Sequence, residues 1–75
     1  MSYKKRFLNK KNTLDLHGIK HEDAERLVEN FVLLNEPPLT IIIGKSNMMG
    51  HIVTNKLSEL RIGWERNVGD VKVFK

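Results

Sequence analysis

The chain has 75 residues, of which 29% are charged, with a formal net charge of +4 and no cysteine. That length holds one domain with a small core, rarely worth more than about 3–5 kcal/mol of net stability, and without cysteine there are no disulfides or thiolate metal ligands, which fits a reducing compartment. No apolar run approaches the ~20 residues that span a bilayer and the basic N-terminus is not followed by the apolar segment of a secretory signal, so a cytoplasmic protein with no membrane partner is expected.

The charge is unevenly spread. Residues 1–11 carry Lys4, Lys5, Arg6, Lys10 and Lys11 and no acid, a charge of +5, while the rest holds 8 basic and 9 acidic residues, a net of −1. Residues 1–11 therefore read as a basic, flexible N-terminal tail and residues 12–75 as the folded domain. Two readings of the tail stand side by side. It is an arm that neutralises nucleic-acid phosphates with salt-sensitive affinity, or a solvated leader that aids solubility. Phe7 and Leu8, inside the basic run, offer an apolar contact for the body or for a partner.

Asn12 to Leu16 alternates, with Leu14 and Leu16 on one face and Thr13, Asp15 and His17 on the other, which reads as a strand stopping at Gly18. Glu22 to Leu34 reads as a helix whose stripe is Ala24, Leu27, Val28, Phe31 and Leu34, with Glu22, Asp23 and Glu25 where the helix dipole favours acids. Pro37-Pro38 cannot continue it. Leu39 to Ile43 is continuously apolar, the pattern of a strand buried in a parallel sheet. Ser46 or Asn47 caps the next helix, in which Met49, Ile52, Val53, Leu57 and Leu60 recur at helical spacing and which Gly63 ends or follows. Ile62 to Arg66 and Val71 to Phe74 are short strands around the turn Asn67-Val68-Gly69-Asp70. The order is β-α-β-α-β-β, an α/β domain whose βαβ start makes the first two strands parallel.

Gly44-Lys45-Ser46 after an apolar strand invites a nucleotide-binding reading. A P-loop requires a second glycine at the start of a long phosphate-wrapping loop, and that position is Leu39, followed by strand formers. What remains is a glycine-permitted turn leading to a helix start suited to an anion. Gly18 and Gly44 end parallel strands and each feeds a helix, so both turns belong at the carboxyl edge of the sheet, where α/β proteins bind ligands. Asp15 and His17, two apart on one strand, share a face near that edge. A carboxylate that orients an imidazole makes a general acid or base; equally, the pair holds the fold, with His17 on a backbone carbonyl and Asp15 capping a turn. His21 and His51 read as surface residues, Met48 and Met49 as packing, and no metal site is expected from three scattered histidines. Trp64 reads as half-buried core, or as a platform for stacking on a base.

The segments "TLDLHGIKHEDA", "IIIGKSNMMGHIV" and "NVGDVKV" together resemble the Smr (small MutS-related) domain family, over about Thr13 to Phe74. Leu14-Asp15-Leu16-His17-Gly18 matches the family's first signature in full. Gly44-Lys45-Ser46 resembles the short Thr-Gly-[Asn/Lys]-Ser form of its second signature, and the last segment its closing strand. The resemblance implies a two-layer sandwich like the C-terminal domain of translation initiation factor three, with a mixed four-stranded sheet and both helices on one face. It implies a short stand-alone endonuclease that hydrolyses phosphodiester bonds of DNA or RNA, with the ribosome as a further partner. Asp15 and His17 are then the catalytic pair. Gly18, Gly44, Lys45 and Ser46 contact the substrate together with Lys4, Lys5, Arg6, Lys10 and Lys11. The chain departs from the family at Ile43, which stands in place of His or Thr, so a non-catalytic nucleic-acid- or ribosome-binding module is the alternative. An adaptor docking through Phe7 and Leu8 is a third reading. A monomer is expected, and the sequence leaves open whether a divalent cation such as magnesium or manganese takes part.

Overall fold

The structure, a computed structural model, describes residues 12–74. Its elements are β1 (Thr13–Asp15), α1 (His21–Leu34), β2 (Leu39–Ile42), α2 (Asn47–Glu59), β3 (Trp64–Arg66) and β4 (Asp70–Val73). The strands form one mixed four-stranded sheet in the order β1-β2-β4-β3. β1 and β2 run parallel, and β4 is antiparallel to both β2 and β3. The ladder continues past the short first strand, because Leu16 N–H donates to the Ile42 carbonyl and Thr40 N–H to that of Asn12.

Period-two alternation decides which face of the sheet is covered. Leu14, Leu16, Leu39, Ile41, Ile43, Val71 and Val73 are buried in one cluster with Ala24, Val28 and Phe31 of α1 and Met49, Val53 and Leu57 of α2. Both helices therefore pack on that face. The alternate residues Thr13, Asp15, Thr40, Ile42, Asp70 and Lys72 are only half-buried on the other face. There the Lys72 ammonium donates to Thr40 Oγ1 at 3.2 Å across paired positions of β4 and β2. The unbroken apolar run of β2 thus does not mark a strand covered on both sides: Ile42 faces outward. In so small a core single residues matter, since truncating a fully buried leucine such as Leu57 costs about 2–5 kcal/mol.

α1 starts at His21, with Glu22 and Asp23 in its first turn. Its stripe departs from expectation at the end: the buried face is Ala24, Val28, Phe31 and Val32, and Leu34, about 100° around the helix from the centre of that face, is 81% exposed. α2 is tied to α1 by Lys56, whose ammonium lies 3.5 Å from Glu25, 3.7 Å from Glu29 and 2.9 Å from Glu59. Gly63 follows α2 rather than ending it. Arg61 takes the left-handed position, φ 60°, while its N–H donates to the Ser58 carbonyl and Ile62 N–H to that of Leu57, the paired bonds of a Schellman ending.

Candidate functional site

Register places the first set of site residues together. Asp15 pairs with Ile42 across parallel strands, so two residues further on His17 reaches the level of Gly44. The Asp15 Oδ1 accepts both the His17 backbone N–H and the His17 Nδ1, each at 2.9 Å. A carboxylate only accepts, so Nδ1 carries a proton, and in the neutral ring it is Nε2 that keeps its lone pair. That Nε2 lies against Gly44: a Cβ built there would come within 2.8 Å of it. Gly44 also has φ 68°, so glycine is required twice, for conformation and for clearance. The His17 side chain is 65% exposed and that of Asp15 31%, leaving the imidazole open to solvent and to a ligand.

Gly18 makes the turn that follows His17. It sits at φ 75° in a turn closed by Ile19 N–H on the Leu16 carbonyl, and a Cβ there would touch nothing. Ser46 is the cap of α2; its hydroxyl accepts the Met49 N–H at 3.0 Å and keeps its own O–H as a donor. The backbone N–H of Gly44, by contrast, is committed. The Gly69 carbonyl accepts both the Ile43 and the Gly44 N–H, tying the second turn to the β3–β4 hairpin, so Gly44 N–H is not a spare donor for a phosphate. Lys45 is exposed and makes no ion pair among the described residues. Lys4, Lys5, Arg6, Lys10, Lys11, Phe7 and Leu8 lie outside the described residues.

An open groove of about 610 Å³ runs between the Gly44–Asn47 segment and the β3–β4 hairpin. Among the described residues its charged lining is Lys45 and Arg66, with no carboxylate. Arg66 pairs with Val71, a core position, and so projects to the helix side. Its guanidinium lies on Gly50 so closely that any Cβ there would overlap it, and it donates to Asn47 Oδ1 at 3.2 Å. The sequence reading missed Arg66 and Gly50. The one available signal was a glycine inside an otherwise regular helix, which usually has a packing or functional reason.

Trp64 projects the same way from edge strand β3. It is 39% exposed and its indole N–H donates to Ser58 Oγ at 3.2 Å. Ile43 is 5% exposed and belongs to the core, so the position at which the chain departs from the Smr pattern points its side chain away from His17. Among the described residues no three His, Asp or Glu side chains gather around a possible metal position. Among them, too, no helix is long and apolar enough to cross a membrane. Comparison with protein-family models, with curated proteins and with solved structures finds no match.

Proposed function

We propose that this domain is an Smr-type endonuclease that hydrolyses phosphodiester bonds of DNA or RNA. The observation that carries this reading is the His17 ring, held by Asp15 through Nδ1 with Nε2 free beside Gly44. An attacking water gives its proton to Nε2 as its oxygen forms the new bond to phosphorus. The bond to the leaving oxygen breaks, that oxygen takes a proton from solvent, and His17 returns its own to water. Asp15 keeps the ring in the productive tautomer and steadies the imidazolium, the role of a carboxylate behind a histidine base. Lys45 and the N–H groups of Asn47 and Met48 in the first turn of α2, left over once Met49 and Gly50 have bonded to Ser46, are the donors for the phosphate charge that grows in the transition state. The basic tail adds affinity, and the resemblance offers the ribosome as the place of action.

The exposure of His17 favours a second reading, a nucleic-acid- or ribosome-binding module without catalysis, because a base so open to water gains little from a low local dielectric. Incubating labelled single- and double-stranded DNA and RNA with wild type and His17→Ala, with magnesium, manganese or chelator, separates the two. Cleavage lost in His17→Ala supports the nuclease; binding without cleavage in either protein supports the module.

A further inference from the structure

Arg66 occupies a place that fold stability does not explain. A cation is favourable at the C-terminal end of a helix and unfavourable in its first turn, where the dipole is positive. The Arg66 guanidinium nevertheless rests on Gly50, within the opening turn of α2, and that turn contains no acid to offset it. Its hydrogen-bond partner is the neutral Asn47 Oδ1, and among the described residues it makes no ion pair. Most of its N–H donors therefore remain unengaged, in a planar fork suited to phosphate. Lys45 adds a second cation to the same groove, and among the described residues no carboxylate lines it. Glycine at position 50 costs helix stability and is what makes the guanidinium's seat possible. The charge is thus held in place with no counter-ion among the described residues.

We infer that Arg66, seated on Gly50, binds a backbone phosphate of a nucleic-acid strand lying in this groove, next to the phosphate presented to His17. Gly44 joins the two places, since it touches His17 on one side and lines the groove on the other. Arg66 fixes the register of the strand, and Lys45 contributes charge. The inference rests on the nucleic-acid reading above and adds the residue and the groove.

The test is a titration of the full chain with a labelled single-stranded RNA and the DNA of the same sequence, over a range of salt. Arg66→Ala is compared with Arg26→Ala, which removes the same charge from α1. Arg66→Ala is expected to weaken binding about tenfold more than Arg26→Ala, with the log–log salt slope smaller by about 0.7. Arg66→Lys recovers only part of the affinity, because a point charge lacks the fork. Gly50→Ala leaves the charge unchanged and favours the helix, yet dislodges the guanidinium, and should weaken binding comparably. The strand bound more tightly names the nucleic acid. Equal effects of Arg66→Ala and Arg26→Ala, or a folded Gly50→Ala with wild-type affinity, would overturn the inference while leaving the nucleic-acid reading intact. A wild-type protein that binds neither strand would remove both.

Discussion

His17 Nε2 lies so near Gly44 that a methyl group on the glycine would approach it to 2.8 Å. Two strand-end turns far apart in sequence are thereby matched to each other, and the clearance is checkable. Gly44→Ala places a Cβ at φ 68°, which costs about 1–2 kcal/mol. The exposed ring yields more easily than the backbone, so the Asp15–His17 bond is lost. A lower Tm together with shifted imidazole nitrogen resonances is expected. Unchanged His17 resonances in a folded Gly44→Ala would show that the contact is incidental.

Arg61 offers the opposite change. It holds the left-handed position at the end of α2 with φ 60°, where a side chain costs about 1–2 kcal/mol and glycine nothing. Since glycine gives back part of this through a freer unfolded chain, Arg61→Gly should stabilise the domain by about 0.5–1 kcal/mol in urea unfolding. A destabilised variant would mean that the Arg61 side chain makes a contact worth more than the strain.

The Lys56 cluster gives a pH dependence of known sign. The hydrogen bond to Glu59 foremost, then the charges of Glu59, Glu25 and Glu29, hold its ammonium above the ordinary 10.5 despite opposing desolvation. A raised folded-state pKa contributes stability that is fully present below 10.5 and is lost as pH rises through the folded value. Wild type should therefore lose stability over that alkaline range more steeply than Lys56→Met, and at neutral pH Lys56→Met should melt lower because α1 and α2 lose their shared ion pairs. Parallel pH profiles for the two proteins would contradict this.

How much of this was legible beforehand depended on range. The element order followed from local alternation and spacing, and the glycine after Ile43 announced a turn. Gly44 beside His17 also followed, given parallel strands. Leu34 did not: it stands at the margin of an apolar stripe, and which margin the core covers, here that of Val32, is decided by how the helix is rotated on the sheet. Gly63 follows the helix, as expected, but the left-handed position falls on Arg61, where the bonds to the Leu57 and Ser58 carbonyls turn the chain. Arg66 was illegible because its place depends on pairing with Val71 and on a glycine in α2, both tertiary facts. The commitment of Gly44 N–H to Gly69 was hidden for the same reason.

The tail makes a separable prediction from charge alone. Residues 1–11 hold +5 and the remainder −1, so deleting the tail should lower nucleic-acid affinity sharply at low salt. The log–log slope on duplex DNA should fall by about 0.9 for each phosphate that the tail no longer neutralises. Equal affinity of the truncated protein at every salt concentration would reduce the tail to a leader.

Restoring a polar side chain at position 43 tests stability rather than chemistry. Ile43 is 5% exposed in the core, and Ile43→Thr removes apolar volume there and buries a hydroxyl, a change expected to cost about 1–3 kcal/mol. It should leave cleavage per folded molecule unchanged, measured at a temperature where both proteins are folded. A gain in cleavage would show that this position reaches the reaction.

Single-turnover cleavage by wild type and His17→Ala bears most directly on the central claim, with labelled RNA and DNA and with folding of both proteins checked by circular dichroism. Positioned acid–base catalysis is worth about 10²–10⁴-fold, so His17→Ala should lose that factor in rate while binding within a few-fold of wild type. Wild-type cleavage that survives unchanged in His17→Ala would contradict the assignment of the Asp15–His17 pair as the catalytic one.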